Sequence, residues 1–164
     1  MRNRRLLAAL IGSAMLAAAC FKEPVTAPDH SEVNPRLLGQ WVCSSPDASP
    51  GNRAELTILR FDSTQYYAEW KEDEKIERYR AYHGVLKGQD LLNATDISDQ
   101  GGYWSAVRVS FATDGSLSLW LPAKRITNLP DDDDSLSTFR REAKQPDAWQ
   151  PFTRCDRPKR QAPS

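Results

Sequence analysis

Gln65-Tyr66-Tyr67-Ala68-Glu69-Trp70-Lys71 is the stretch that decides the fold class. Along an extended chain Tyr66, Ala68 and Trp70 point one way and Tyr67, Glu69 and Lys71 the other, the period-two pattern of a strand with one buried and one wet face. Turn formers bound it: Asp62-Ser63-Thr64 before and Glu72-Asp73-Glu74 after. The unit repeats in both directions. Residues 54–61 place Leu56 and Ile58 opposite Thr57, Leu59 and Phe61, and residues 36–44 give a first strand across the turn-rich segment 45–52. Further strands are expected over 76–86, 91–97, 103–111 and 116–121, with Lys87-Gly88-Gln89-Asp90, Ser98-Asp99-Gln100-Gly101-Gly102 and the hairpin signal Asp114-Gly115 between them. Residues 151–155 read as a last strand returning to the first.

Short strands joined by tight turns predict a mainly β protein: an antiparallel meander of about seven to eight strands. Such a meander hides its edges by curling into a small barrel or half-barrel; an open sandwich is the alternative. One short C-terminal helix is expected at about 134–145. Leu136, Phe139, Arg140 and Ala143 follow helical spacing, Asp131 to Asp134 cap its start, and Pro146 ends it. The four aspartates lack the spaced ligands and glycine of a calcium loop, so capping is preferred to metal.

Upstream, Arg2, Arg4 and Arg5 precede an uncharged, largely apolar run from Leu6 to Ala19 that stops at Cys20. This has the three parts of a secretory signal and is shorter than the roughly 20 residues of a spanning helix. Leu16-Ala17-Ala18-Ala19-Cys20 resembles the lipobox of bacterial lipoproteins, although Ala17 stands where the leucine is usual. The resemblance implies removal of residues 1–19, lipidation of Cys20 and attachment to the membrane through the N-terminal lipid. Phe21 stands where an aspartate would retain such a protein in the inner membrane, so the resemblance implies the outer membrane of a two-membrane cell. Ordinary secretion after Ala19 is the rival reading. Cysteine parity favours the lipid: the chain has three cysteines, and a lipidated Cys20 leaves Cys43 and Cys155 to form a disulfide, whereas plain secretion leaves an odd thiol.

Loss of residues 1–19 removes those three arginines and no acid, leaving 19 basic against 22 acidic residues. That mild acidity argues against nucleic acid as a partner. The remaining chain suits one domain. Residues 20–35, with Pro24, Pro28 and Pro35, read as a lipidated N-terminus and flexible tether reaching at most roughly 50 Å. Residues 36–155 read as the barrel domain, and 156–164 as a solvated basic tail.

Gly39-Gln40-Trp41 on the first strand resembles the Gly-x-Trp of lipocalin-like (calycin-type) barrels, whose indole packs at the closed end. The likeness covers roughly residues 36–123 and implies a small ligand-binding barrel.

No catalytic signature is present: the chain has no G-x-S-x-G, H-E-x-x-H, phosphate loop or dinucleotide fingerprint. His83 stands alone on a strand. Glu69, Glu72 and Glu77 alternate with Lys71, Lys75 and Arg78 as a solvated hairpin surface. Neither Cys43 nor Cys155 lies in a C-x-x-C, and no metal or cofactor is expected. Aromatic surplus is the sharper hint. Alternation sets Tyr67, Tyr82, Trp104 and Trp120 opposite part of the apolar set, as a candidate binding surface. The expectation is a non-enzymatic, lipid-anchored envelope protein that binds a hydrophobic ligand or an envelope protein; a structural or hydrolase-inhibitor module is the alternative.

Overall fold

The computed structural model describes residues 21–44, 53–98, 102–127 and 132–159. Residues 1–20, with the stretch read as a signal and Cys20, the loop 45–52 and Asp131 lie outside the described residues. Eight strands follow in order: β1 Gly39–Ser44, β2 Ala54–Arg60, β3 Gln65–Glu72, β4 Lys75–Leu86, β5 Gln89–Asp96, β6 Ser105–Phe111, β7 Leu117–Pro122 and β8 Trp149–Asp156. Each pairs antiparallel with its sequence neighbour and β8 pairs with β1, so the meander closes into a barrel. Of the expected alternatives, half-barrel and open sandwich give way to full closure. Between β7 and β8 stand a single helical turn, α1 Lys124–Thr127, and the longer α2 Asp132–Glu142. The acid run therefore lies largely within the first turn of α2 rather than ahead of it.

Residues directly opposite in a ladder share a face. Trp41↔Leu56↔Trp70 and Ile58↔Ala68↔Tyr79 therefore project inward, joined by Tyr66, Ala81, Leu92, Val109, Leu117 and Leu119 in one continuous core. A lower end, where the β2–β3, β4–β5 and β6–β7 turns lie, is closed by residues 31–38. There the Trp41 indole donates to the Leu37 carbonyl (2.9 Å), and the Tyr66 hydroxyl accepts from the Asn34 N–H (2.6 Å). Arg157 lies 3.6 Å from the Trp41 ring centroid and donates to the carbonyls of Leu38 (2.8 Å) and Arg36 (2.9 Å). Arg157 is thus no part of a solvated tail; it seals the Gly-x-Trp end of the barrel.

A second core lies outside the wall. Leu91 and Ala106 face away from the lumen and pack with Phe21, Val25, Leu136, Phe139, Ala143 and Trp149. The apolar stripe expected on the helix is the stripe it buries here.

Closure rests on a short seam. Only Val42, Cys43 and Ser44 of β1 pair with β8, against Asp156, Cys155 and Arg154, and the disulfide Cys43–Cys155 joins the central pair. The cross-link closes a loop of 112 residues, for which chain entropy gives about 4–5 kcal/mol. Replacing both cysteines by alanine is expected to lower unfolding stability by about 2–5 kcal/mol with the barrel retained, measured by urea unfolding against wild type. A loss under about 1 kcal/mol would show that the seam holds without its cross-link.

Candidate functional site

The outward aromatics do not form one open surface. Tyr82 is 4% exposed; its hydroxyl donates to the Thr26 carbonyl at 2.6 Å and its ring meets Trp104 edge-on at 5.5 Å. Trp104 exchanges both backbone hydrogen bonds with Phe21, N–H to carbonyl at 2.8 and 2.7 Å. Trp120 packs against the outer core, with the Arg108 guanidinium 4.1 Å from its ring centroid. Three of the four candidate positions therefore hold the protein's own chain. Tyr67 stands apart on the far wall, opposite the half-exposed Leu59, its hydroxyl on Glu69 Oε2 at 3.0 Å.

What covers the outer wall is the segment read as a tether, and that expectation is corrected. Phe21 is 1% exposed and Val25 is buried. Asn93 has no exposed surface; its Oδ1 accepts from the N–H of Val25 (2.9 Å) and of Thr26 (3.3 Å), and its Nδ2 donates to Thr26 Oγ1 (2.8 Å). Arg140 of α2 donates to the carbonyls of Pro24 (3.0 Å) and Val25 (2.9 Å). Every one of these partners satisfies a backbone group that water would otherwise serve. Gly84 supplies the room. Its φ is not in the left-handed region, yet a Cβ there would overlap Thr26, so this strand glycine exists for close approach. Sequence carried a trace of this arrangement: Leu91-Leu92 makes β5 apolar on both faces, which a strand wet on one side does not need.

Inside, the upper lumen differs from the lower. Trp70↔Glu77, Ala68↔Tyr79↔Asp96 and Leu92↔Val107 put these side chains on the inner face. Phe152, at the register shift of β8, packs on Trp70 with ring centroids 5.4 Å apart. The carboxylates are occupied: Lys75 Nζ lies 2.6 Å from Glu77 Oε1, the Tyr79 hydroxyl donates to Glu77 Oε2 at 2.9 Å, and Asp96 Oδ1 accepts from the Ser98 N–H and hydroxyl (2.7 and 2.6 Å). Burial, then the Glu77 bond and the charges of Glu77 and Asp96, drive the Tyr79 phenol upward, so it stays a donor. Two atoms in this region have no partner among the described residues. They are Trp70 Nε1, on a residue 8% exposed, and Thr153 Oγ1, on one 5% exposed. Thr153 is the neighbour of Phe152 and faces inward opposite Leu119. Sequence reasoning set Trp70 among the core residues and did not single out Thr153, since only a closed barrel shows that their polar atoms go unanswered.

The remaining candidates are placed simply. His83 Nε2 lies 2.8 Å from Asp90 Oδ1, and its N–H donates to Ser31 Oγ at 3.0 Å. Glu69 pairs with Arg78 at 3.0 Å on the outer surface. Among the described residues no group of three His, Cys, Asp or Glu is placed to hold a metal, and no helix is long and apolar enough to cross a membrane. Comparison with protein-family models, with curated proteins and with solved structures found no match for this chain.

Burial of Tyr82, with the nearby charge of Asp29, pushes its phenol up to about 12. The unfolded chain titrates this group near 10, so the folded state binds the extra proton between those values. Its contribution is full below pH ~10 and is lost as pH rises through ~12. Urea-unfolding stability is expected to fall over that window, less steeply in Tyr82→Phe than in wild type. Equal slopes would remove Tyr82 as a proton-linked contact of the segment.

Proposed function

We propose that this chain is a lipid-anchored cell-envelope protein, held through an acylated Cys20 at the outer membrane. Its lipocalin-like barrel is a non-enzymatic binding module for a small apolar ligand carrying a hydrogen-bond acceptor. The carrying observation is the pair of buried polar atoms without a partner among the described residues, Trp70 Nε1 and Thr153 Oγ1, beside the Trp70 and Phe152 rings of the lumen. A buried, unpaired donor costs about 1–3 kcal/mol. An acceptor such as a carbonyl or hydroxyl oxygen recovers that cost, while the Trp70 and Phe152 rings and Val107 hold the apolar part. The lower lumen does not serve the ligand, because Trp41, Tyr66 and Ile58 fill it and are almost fully buried. The anchor is supported by cysteine parity, since the Cys43–Cys155 disulfide leaves Cys20 as the odd cysteine.

One observation favours a second reading, contact with an envelope protein. Leu59 and Phe61 are half exposed on the wall that carries Tyr67, and Arg80 lies 4.6 Å from the Phe61 ring centroid. This apolar strip lies away from both the lumen and the outer core, and an inhibitor-type or structural module would use it.

Radioactive palmitate fed to cells is expected to label the wild-type chain and not Cys20→Ala. For the ligand, native purification followed by organic extraction and mass spectrometry is expected to yield one dominant amphiphile. Trp70→Phe, which keeps a ring and deletes the donor, should reduce its recovery about tenfold, the equivalent of one hydrogen bond of about 1.4 kcal/mol. An empty wild-type extract would overturn the lumen reading and leave the Leu59–Phe61 strip as the site.

A further inference from the structure

The docked segment fixes where an anchor can leave the protein. Phe21 is held beside Trp104, immediately before β6 at the upper end of the barrel, and Cys20 is bonded directly to it. Consecutive Cα atoms are about 3.8 Å apart, so a lipid on Cys20 would start one residue from the point where Phe21 is held. From Phe21 the chain descends along the outer face of β5 and β4, through Asn93, Tyr82 and Gly84. At the lower end Ser31 Oγ donates to the Thr64 carbonyl (2.7 Å) and residues 31–38 cover that end. The anchor thus departs from the upper end, and the lower end is turned away by the height of the barrel, roughly 25 Å from strand rise and tilt.

Side chains around the exit suit an interface. Ile97 is 49% and Tyr103 42% exposed, flanking the β5–β6 connection that carries Trp104, and Ile76 is exposed at the neighbouring β3–β4 turn. Apolar and aromatic residues of this kind settle at the headgroup boundary of a bilayer. The lower end also exposes apolar groups, Leu59, Phe61 and Val85; the position of the anchor distinguishes the two ends.

We infer that residues 21–26 act as a fixed strap rather than a tether, seating the upper rim of the barrel, with Ile97, Tyr103 and Trp104, directly on the bilayer surface. This rests on the lipid anchor proposed above and adds its geometry. The ligand site then opens toward the membrane, and the partner of this surface is the phospholipid headgroup layer. Strap docking is stable because it buries Phe21 and Val25 and satisfies the Pro24, Val25 and Thr26 backbone.

The test uses the full lipidated protein, its acylation established by intact mass, in phosphatidylethanolamine–phosphatidylglycerol vesicles containing a doxyl-labelled lipid. An environment-sensitive fluorophore is attached at Ile97→Cys or, separately, at Phe61→Cys. The expected result is at least twofold stronger quenching at position 97 than at 61. Adding Gly84→Val, which fills the space Thr26 occupies without touching the lumen, should abolish that difference while circular dichroism and the melting transition show an intact barrel. Acylated protein quenched equally at both positions would overturn the strap and leave the anchor standing. An unacylated N-terminus would overturn the anchor itself. Arg140→Ala offers an independent release of the strap, and an undiminished difference in both variants would also sink it.

Discussion

The shortest seam in the barrel is the one on which the rest depends. A meander draws seven of its eight pairings from strands that are neighbours in sequence, here with two helices standing between β7 and β8; the eighth must join the two ends of the domain. Here that pairing spans three residues on each strand, against eight between β3 and β4. Local turn chemistry cannot help it, because 112 residues separate its halves. Two devices act in its place. The disulfide removes the loop-closure entropy of the longest-range contact, and Arg157, two residues past Cys155, reaches across to the Leu38 and Arg36 carbonyls and the Trp41 ring. Arg157 acts at the lower end, where Trp41 and Tyr66 fill the lumen, and the unanswered polar atoms among the described residues of the lumen, Trp70 Nε1 and Thr153 Oγ1, lie elsewhere.

Closing the barrel disposes of the inner faces but leaves an outer apolar stripe on β5 and β6. Leu91 and Ala106 need cover, and two segments give it, α2 and the strap. They also bind each other, since Arg140 spans from the helix to the strap carbonyls and Phe139 meets Phe21 with centroids 5.5 Å apart. The outer core is therefore cooperative. Losing the strap exposes one side of Phe139, and losing the helix frees the strap. This coupling explains why Asn93, a residue usually left on the surface, is fully buried on a strand: its amide oxygen accepts from two backbone N–H groups of the strap and its nitrogen donates to the Thr26 hydroxyl.

Strand periodicity was legible because a half-buried strand writes its faces into alternate residues. All eight strands appear close to where alternation puts them, and the helix stripe Leu136, Phe139, Ala143 is the buried one. The sequence also holds the Cys43–Cys155 pairing by parity. The strap escaped for a physical reason. It is short, proline-bearing and without period, so its order comes from Asn93, Tyr82, Gly84 and Arg140, each far away in sequence. Alternation likewise sets Tyr82, Trp104 and Trp120 opposite part of the apolar set but does not say which set faces the lumen or what covers the other. Exposure is a property of the assembled surface: Tyr82 and Trp104 hold the chain's own N-terminal segment, and Trp120 packs against the outer core. The unpaired lumen atoms were illegible for the complementary reason: an unanswered indole N–H exists only after every neighbour has been placed.

Two unpaired buried groups, at about 1–3 kcal/mol each, are a substantial charge on a domain whose net stability is of order 5–15 kcal/mol. Polar satisfaction was available nearby, for the Tyr79 hydroxyl, Glu77 and Lys75 bind one another within the same upper lumen. Valine at Thr153 would fill nearly the same volume without an unpaired hydroxyl, and phenylalanine at Trp70 would keep a ring without the N–H. A third such atom among the described residues, Gln89 Oε1, lies at the start of β5, and the presence of the two lumen groups is explained if they are answered when a ligand is bound. Binding then acts differentially: a purely apolar molecule gains packing but leaves both atoms unpaired, whereas one with a correctly placed oxygen gains packing and pairing together. The resulting discrimination is by hydrogen bonding against an apolar background, the situation in which one missing polar contact is most strongly felt.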